Sequence, residues 1–443
     1  MVEQGLLGCL LREPERLGEF HSSGFGKEDF VAGAQIYGFI TEYRERYKAM
    51  PTTSTVKATF DDWNPPEGAY QYWMDNFTRI VLARRAESYI AAALEAIALS
   101  PETAIPKLIS ELSAVRVTGS THIIATDEGI RQRLEKFRLR SEAFATNPDL
   151  VLGIPTPFSV INRTHQGWMP GELIGIFARP TVGKTWALLE IGVTAWMAGY
   201  KVLLVSPEMP ANQIALRIDT IQASHMGIRF SHKLAYSGNP ALTQSYEALA
   251  QRVGESKRWW TVDSWEGREC GLTDIKALTE MFNPDIILID GISILRPEVT
   301  RASEWELMKY NTYGLKTWAT YKAIPIIVTH QSVNSRRGQR KDNDANQGRG
   351  DDWIMPTLND AAFGDAFVQG CATVIAMCSD RERSDIRHYS IRKAREREID
   401  YASHPRDAIY WDVDRGKIVD LSDLTGDPER VIKRVNELKA ARG

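Results

Sequence analysis

Apolar residues in the first 118 positions of the chain recur at the three- and four-residue spacing of amphipathic helices. Four such stripes are formed by Leu6, Leu7, Leu10 and Leu11; by Ile36, Ile40, Tyr43 and Tyr47; by Tyr89, Ile90, Ala93, Leu94 and Ile97; and by Ile105, Leu108, Leu112 and Val115. This part carries no pattern typical of catalysis. We therefore predict an all-α N-terminal domain over residues 1–118 that packs against or binds other protein surfaces.

Residues 119–152 have the pattern of a linker that contains one short helix. Thr126 and Asp127 can cap the N-terminus of that helix. Its narrow apolar stripe consists of Ile130, Leu134, Phe137 and Phe144. Because an apolar stripe on a connecting helix needs a partner surface, the helix docks either on its own domain or on a neighbouring subunit. The residues alone leave both alternatives open.

From Gly153 onward the pattern changes to short β-rich runs that alternate with helical segments. The runs cover residues 173–177, 202–205, 260–263, 286–289, 324–329 and 372–377, and residues 408–413 and 418–421 form a further hairpin. Strands that alternate with helices favour a parallel sheet covered by helices. We therefore predict that residues 153–443 form an α/β domain with a central parallel sheet.

A glycine-lysine-threonine loop follows the first of these runs. The candidate nucleotide contacts are Ala178, Arg179, Pro180, Thr181, Val182, Gly183, Lys184, Thr185 and Trp186. Strand, loop and helix in this order are typical of a phosphate-binding loop, in which backbone N–H groups point at a triphosphate. Lys184 would reach the β- and γ-phosphates of ATP, and the Thr185 hydroxyl would bind Mg²⁺. Ala178 replaces the usual first glycine, so an ordinary surface loop is the alternative.

Three polar residues end later strands of the predicted sheet. Glu208 follows the 202–205 run and can polarise an attacking water, or it can be an ordinary acid at a helix N-terminus. Asp290 ends Asp-Ile-Ile-Leu-Ile-Asp, the Walker B pattern, and would hold Mg²⁺ opposite Thr185. Gln331 ends Ile-Ile-Val-Thr-His-Gln and can contact the γ-phosphate, or it is only a polar residue at a strand end.

Lys393 and Arg395 form a fourth candidate, which we place beyond the last strands of the sheet. Alternate residues of a strand share a face, so both cations could point at one anion. In an oligomer such a pair could reach the γ-phosphate of a neighbouring subunit, where an arginine finger accelerates hydrolysis by about 10³–10⁵. From the residues alone, a solvated basic strand is the better interpretation.

Composition limits the function classes. The chain has 443 residues, enough for two or three domains, and its net charge of −3 includes no basic tail. Contacts with nucleic acid must therefore come from local patches or an assembled surface. The four cysteines lack a C-x-x-C pair and the eight histidines lack metal-ligand spacing, which indicates reduced thiols in the cytoplasm. The absence of a signal peptide and of an apolar run of about 18 residues predicts no membrane partner.

Several of these segments resemble the DnaB-type replicative helicases, and the match extends over nearly the whole chain. Residues 3–8 (Glu-Gln-Gly-Leu-Leu-Gly) resemble the opening of that family, and residues 153–156 with 170–173 resemble its approach to the phosphate loop. The loop of that family also contains Ala-Arg-Pro, so Ala178 becomes an argument for membership. Residues 206–210 (Ser-Pro-Glu-Met-Pro) resemble its S-x-E-M-[PS] motif.

The resemblance implies roles for the candidate residues. It makes Glu208 the catalytic glutamate, Asp290 the Walker B acid and Gln331 the strand-tip glutamine. Lys393 and Arg395 then correspond to the K-x-R pair that acts on the neighbouring subunit. The resemblance further implies a RecA-like fold, a hexameric ring on single-stranded DNA, an N-terminal helical collar and a linker helix that docks on the adjacent subunit.

The chain departs from that family in the segments that carry its candidate DNA contacts. Residues 358–362 (Leu-Asn-Asp-Ala-Ala) stand where the family has an arginine that grips the DNA backbone. A charged segment at 335–352 carries Arg336, Arg337 and Arg340, and ordinary mobile surface is an equally good interpretation of it. Asn359 and Asp360 are the other candidates. These departures suggest a divergent member of the family, such as one encoded by a bacteriophage.

We therefore predict an ATP- and Mg²⁺-dependent helicase that forms a homohexamer on single-stranded DNA at replication forks. A primase and a helicase loader are further candidate partners. Two alternatives remain. A RecA-like, DNA-stimulated ATPase that does not unwind DNA is disfavoured by the helical collar, and a scaffold with a degenerate site is disfavoured by intact Lys184, Glu208 and Asp290.

Overall fold

The computed structural model divides into two compact units, Met1–Ser141 and Glu142–Gly443, which are described separately. It describes residues 1–97, 99–101, 104, 107–108, 112, 126–147, 150–254, 258–264, 269–298, 303–332, 353–361, 364–395, 406–424 and 427–440.

The first unit is helical in its described residues. Its helices are α1 (Val2–Arg12), α2 (Arg16–Ser22), α3 (Ala34–Tyr47), α4 (Thr53–Thr59) and α5 (Tyr70–Ile97). The predicted stripe at Leu6, Leu7 and Leu10 is fully buried in its core. Helix α1 packs closely on α5, since a Cβ atom on Gly5 would lie 2.5 Å from the Trp73 ring. The prediction of an all-α N-terminal region is confirmed.

Two of the other predicted stripes are only partly buried. Ile36 and Ile40 lie in the core, whereas Tyr47 near the end of α3 is 55% exposed. On α5, Ala93 is buried but Leu94 is 66% exposed, because the core of the unit covers the first part of this long helix. Of the fourth predicted stripe, Leu108 and Leu112 are partly buried, whereas Ile105 and Val115 lie outside the described residues.

Helix α6 (Thr126–Thr146) is the helix predicted in the linker. The apolar side chains of its stripe are exposed: Ile130 at 58%, Leu134 at 48%, Phe137 at 66% and Phe144 at 51%.

The second unit is built on a nine-stranded sheet with the order β3-β2-β4-β5-β1-β6-β7-β8-β9. The strands are β1 (Leu173–Ala178), β2 (Val202–Val205), β3 (Trp259–Val262), β4 (Ile286–Ile289), β5 (Ile326–Gln331), β6 (Thr373–Ser379), β7 (Ile386–Ala394), β8 (Asp407–Asp412) and β9 (Lys417–Asp420). Strands β1 to β6 are mutually parallel, and β7, β8 and β9 extend the sheet in antiparallel pairs.

This arrangement confirms the α/β prediction and corrects one detail of it. Lys393 does not lie beyond the last strands, because it belongs to β7, which pairs with both β6 and β8. The polar and basic residues of β7 obscure its strand pattern, although Tyr389 and Ile391 are buried.

Helices cover both faces of the sheet. They are α7 (Ser159–His165), α8 (Lys184–Met197), α9 (Ala211–His225), α10 (His232–Tyr236), α11 (Thr243–Val253), α12 (Leu272–Phe282), α13 (Glu304–Lys322), α14 (Gly364–Gly370) and α15 (Pro428–Ala440). One large apolar core lies on the side of α8 and α9, and another lies on the side of α12 and α13. Strands β1, β2 and β4 are buried on both sides and apolar along their whole length, as parallel strands are.

All four cysteines are free and buried, as predicted. Among the described residues, no helix combines the length and the hydropathy that crossing a membrane requires. The same residues contain no cluster of histidine, cysteine and acidic side chains suited to a metal ion.

Candidate functional site

The loop between β1 and α8 has the backbone geometry that a phosphate-binding loop requires. Thr181 and Gly183 have positive φ angles of 68° and 112°, which turn successive N–H groups to one side. A Cβ atom on Gly183 would lie 2.4 Å from the Trp411 ring. Glycine is therefore required at this position both by the backbone angle and by the close contact.

Lys184 begins helix α8 and folds back over the loop. Its Nζ donates hydrogen bonds to the carbonyl oxygens of Ala178 at 3.2 Å and Arg179 at 3.3 Å. Burial lowers the pKa of Lys184, and the nearby charges of Glu208 and Asp290 oppose that shift. The ammonium group thus lies inside the loop, where the phosphates of a nucleotide would lie.

Asp290 is buried after β4 and accepts hydrogen bonds from two hydroxyl groups. The Thr185 Oγ1 donates to one carboxylate oxygen and the Thr329 Oγ1 to the other, each at 2.7 Å. The Thr329 hydroxyl in turn accepts a bond from the Gly291 N–H at 2.8 Å. The sequence interpretation missed Thr329, although a threonine within an apolar strand is the signal that could have indicated it.

Glu208 lies after β2 at the same edge of the sheet. Its carboxylate is close to Gly291, since a Cβ atom there would lie 3.7 Å from Oε2. Burial and then the charge of Asp290 raise the pKa of Glu208, and Lys184 and Arg217 oppose the shift. Its side chain is partly exposed and can therefore be reached by water and ligands.

Gln331 ends β5 and pairs in register with Ala178, the residue that begins the phosphate loop. Its side chain is exposed. The neighbouring His330 is buried against the Phe367 ring, with the ring centroids 4.9 Å apart. Gln331 therefore lies at the site, and His330 faces the core.

Arg217 is a residue of this site that the sequence interpretation did not identify. It lies on α9, and its charge acts on both Glu208 and Asp290. Its Cζ lies 5.4 Å from the centroid of the Trp186 ring. Sequence offers no clear signal for it, because an arginine between Ile214 and Ile218 on a surface helix is an ordinary pattern.

The antiparallel strands also support the phosphate loop. Arg387 on β7 donates from Nε to the carbonyl oxygen of Val182 at 2.9 Å. Its Cζ lies 5.5 Å from the centroid of the Trp411 ring, which itself contacts Gly183. These contacts join residues about 200 positions apart in the chain and could not be read from a local motif.

Lys393 and Arg395 lie toward the ends of the strands that are opposite to the phosphate loop. Lys393 pairs with Val374 near the start of β6, whereas the phosphate loop leaves β1 beside Met377. The three residues from Val374 to Met377 span about 10 Å. Lys393 Nζ donates to the carbonyl oxygens of Val368 and Cys371, and Arg395 donates to that of Gln369. Both cations thus contact the end of α14 and lie apart from the phosphate loop of their own chain.

The candidate DNA contacts divide into two groups. Arg336, Arg337 and Arg340 lie outside the described residues. Asn359 and Asp360 form a short 3-10 helix after β5, and the Asp360 carboxylate accepts hydrogen bonds from the Thr357 N–H and hydroxyl at 2.7 Å each. The Asn359 side chain is exposed.

The arrangement fits a nucleoside triphosphate with a magnesium ion. Lys184 and the loop N–H groups can bind phosphate oxygens, and Thr185 and Asp290 present oxygen atoms, the ligand type that Mg²⁺ prefers. Glu208 is a nearby base for a water molecule. The residues at this edge of the sheet are thus chemically suited to a triphosphate and a divalent cation.

Residues 153–346 match the family model described as the DnaB-like helicase C-terminal domain. The matched range includes the phosphate loop and the strand-end residues up to Gln331, and it ends before Lys393. The family model thus covers the site that the geometry of this edge of the sheet indicates.

Curated relatives with the name replicative DNA helicase DnaB match parts of the chain. The protein of Haemophilus influenzae is 36% identical over 220 residues, 48% of this chain and 45% of the relative. That of Geobacillus stearothermophilus is 25% identical over 243 residues, 49% of this chain and 52% of the relative. That of Rhodothermus marinus is 35% identical over 102 residues, 23% of this chain and 10% of the relative. The chain thus spans between a tenth and about half of the length of these relatives.

Two solved structures share the fold. A DnaB-like replicative helicase, described with its interactions with primase, has a TM-score of 0.56 at 17% identity and covers 95% of this chain and 99% of its own. A second structure, described as an ATPase domain, has a TM-score of 0.52 at 19% identity and covers 65% of this chain and 98% of its own. At such identities the likeness concerns the fold alone.

Proposed function

We propose that this chain, which belongs to the DnaB-like helicase family, is an ATP-dependent helicase that moves along single-stranded DNA as a ring and unwinds the duplex at replication forks. The observation that carries this proposal is the grouping of Lys184, Glu208 and Asp290 around one phosphate loop at a single edge of the sheet. The curated relatives, which are named as replicative helicases, support the same activity.

Hydrolysis of ATP would use the residues as follows. The loop N–H groups and Lys184 bind and orient the phosphates, which leaves the γ-phosphate facing Glu208. The Glu208 carboxylate accepts a proton from the attacking water. Its raised pKa makes it a stronger base than an ordinary glutamate. Gln331, beside the start of the loop, can then sense whether the γ-phosphate is present.

Thr185 and Asp290 are the residues that would hold Mg²⁺. Their oxygen atoms are 2.7 Å apart, and Thr329 keeps the Asp290 carboxylate in one orientation. The ion, when bound, neutralises charge on the phosphate oxygens.

A second copy of the chain would complete each site. Arg395 lies apart from the phosphate loop of its own chain, so its guanidinium is better placed to act on the nucleotide of a neighbour than on its own. In that role it would stabilise the charge that develops on the γ-phosphate, with Lys393 beside it. A homohexameric ring supplies one such interface per nucleotide, and the exposed stripe of α6 offers a further surface for a neighbouring subunit.

DNA would pass through the centre of this ring. A small net charge of −3 is compatible with DNA binding, because a few cations from each of six copies would create a basic channel. Arg336, Arg337, Arg340, Asn359 and Asp360 remain the candidate contacts. Primase is a candidate partner because a structure with this fold is described with its interactions with primase. A helicase loader is another candidate partner. The proposed location is the cytoplasm, which holds the DNA.

Strand displacement on a forked DNA with both single-stranded arms tests this function. We expect displacement that requires ATP and Mg²⁺ and is absent in Lys184→Ala. Hydrolysis that DNA stimulates without displacement would favour an ATPase that does not unwind DNA. Absence of hydrolysis in the presence of Mg²⁺ and DNA would overturn the nucleotide site itself.

A further inference from the structure

Trp186 connects three helices around the phosphate loop. It follows Thr185 in the first turn of α8 and packs, half-buried, against the apolar core of the second unit. The Arg217 Cζ of α9 lies 5.4 Å from the centroid of its ring, and the His232 ring of α10 lies edge-on at 5.3 Å and 78°. The indole thus contacts both an arginine that interacts electrostatically with Glu208 and Asp290 and a histidine of α10.

Arg217 has a charge environment suited to a ligand and lacks a hydrogen-bonded partner. Its guanidinium makes no hydrogen bond to any other residue that the structure describes, although Glu208 and Asp290 act on it through their charges. A guanidinium that stacks on an aromatic face keeps its five N–H donors available for oxygen atoms. Arg217 therefore lies within the electrostatic influence of the site and carries donors that no described residue uses.

The contact between Trp186 and His232 favours a fixed position of the ring. Burial and the neighbouring charge of Arg217 both lower the pKa of His232, so the imidazole is neutral and does not repel the arginine. The backbone N–H of His232 donates to the carbonyl oxygen of Asp414 at 2.7 Å, which ties α10 to the hairpin of β8 and β9. Helix α10, which contacts the indole through His232, is consequently anchored to the sheet.

We propose that Trp186 is a positioning residue whose indole face holds Arg217 so that its guanidinium binds the terminal phosphate of the nucleotide in the loop. This inference rests on the proposed ATP site and extends it to a residue outside the strand ends. A terminal phosphate would give Arg217 charge-assisted hydrogen bonds, which no described residue of the chain provides. A diphosphate would not engage it, so Trp186 should affect triphosphate binding selectively.

Binding of ADP and of the non-hydrolysable analogue AMP-PNP, measured by calorimetry on the full chain with Mg²⁺, tests the proposal. We expect Trp186→Leu, which keeps an apolar side chain but no aromatic face, to weaken AMP-PNP binding about tenfold, within the range of a partly buried cation–π contact. ADP binding should change less than about twofold. Trp186→Phe should retain most of the AMP-PNP affinity. In the Arg217→Ala background, Trp186→Leu should cause no further loss, because the two residues act as one unit.

A matched control exists on the same helix. The Arg258 Cζ lies 5.5 Å from the centroid of the Trp196 ring near the other end of α8, so Arg258→Ala removes a similar contact far from the loop. It should leave the affinities for ADP and AMP-PNP equal to those of wild type. Equal weakening of ADP and AMP-PNP by Trp186→Leu would assign Trp186 to packing alone and overturn the proposal, as would unchanged AMP-PNP binding. Normal AMP-PNP binding by Lys184→Ala would instead overturn the nucleotide site, which separates the two failures.

Discussion

Among single side chains, Asp290 connects most of the site. Its two carboxylate oxygens accept hydrogen bonds from Thr185 and Thr329, and its charge raises the pKa of Glu208 while it opposes the lowering of the pKa of Lys184. A change at Asp290 should therefore affect the pKa values of Glu208 and Lys184.

Lys184→Ala should reduce ATP hydrolysis to less than about a tenth of the wild-type rate, because it removes the cation that binds the phosphates in the transition state. The fold should persist, since among the described residues Nζ hydrogen-bonds to just two loop carbonyl groups. Steady-state hydrolysis and circular dichroism check both points. Lys433→Ala, an exposed lysine on α15, is the control and should behave as wild type. Hydrolysis above a tenth in Lys184→Ala would contradict the assignment.

Glu208→Gln should bind ATP normally and hydrolyse it about a hundredfold more slowly, the loss expected when a general base is removed. Equilibrium binding and single-turnover hydrolysis separate the two effects. If binding disappears together with turnover, Glu208 has a structural role.

The pH dependence of hydrolysis should report the raised pKa of Glu208. The base must be ionised, so the rate should fall as the pH decreases through that pKa, at a higher pH than for an ordinary glutamate. Arg217 lowers this pKa, so Arg217→Ala should move the acid limb of the rate profile to still higher pH. Glu208→Gln should remove the limb. A limb that stays in place in Arg217→Ala would show that another group is titrating.

The residues that sequence could identify all follow predicted strands or the glycine-lysine-threonine motif. Glu208, Asp290 and Gln331 are recognisable because each follows or ends a parallel strand. The carboxyl ends of parallel strands meet at one edge of the sheet, where ligands bind. Arg217 and Arg387 are not, since each acts through packing between segments that are distant in the chain.

At the level of elements, a contact between a buried glutamate and a partly exposed histidine joins the two helices that carry Lys184 and Arg217. Glu190 on α8 is 2% exposed, and the His225 Nε2 on α9 lies 2.7 Å from its Oε1. Burial lowers the pKa of His225, but the hydrogen bond and charge of Glu190 outweigh it and leave the pKa raised. The pair thus keeps α8 and α9 in register beside the site.

His225→Ala should lower the free energy of unfolding of the second unit by about 1–3 kcal/mol, because it removes a hydrogen bond from the buried Glu190 carboxylate. Replacing both residues with leucine should cost less than the single change. Urea denaturation measures both. Because folding raises the pKa of His225, its contact with Glu190 stabilises the fold fully at pH values below the usual histidine pKa. The coupling energy between Glu190 and His225, measured in a double-mutant cycle, should therefore shrink as the pH rises through the raised pKa of His225. Coupling that grows with pH would contradict this assignment.

Strands β1, β2 and β4 were predictable because buried parallel strands are apolar throughout. Strand β7 was not recognised as part of the sheet, since its pairing with β6 and β8 depends on contacts that alternation does not encode. In the first unit, periodicity identified the buried face of α1 but not how much of α5 the core covers.

At the level of the whole molecule, the proposed hydrolysis depends on a second copy of the chain. Residue spacing alone favoured a solvated basic strand for Lys393 and Arg395. The resemblance to DnaB-type helicases instead implied that both residues act on the nucleotide of a neighbouring subunit. The register of β6 and β7 places both cations at the end of α14, and their action on a neighbouring subunit stays a prediction. The predicted domain limits at 118 and 152 stay predictions.

Hydrolysis by mixed variants tests this central claim most directly. Arg395→Ala should bind ATP through its intact Lys184 but hydrolyse it poorly, because the finger that it offers to its neighbour is missing. Lys184→Ala should also be inactive. Co-expressed Arg395→Ala and Lys184→Ala chains should recover part of the wild-type hydrolysis, since mixed rings contain interfaces with one intact loop and one intact finger. Near-normal activity of Arg395→Ala alone, or two inactive variants that no mixture restores, would contradict a site completed by a neighbouring subunit.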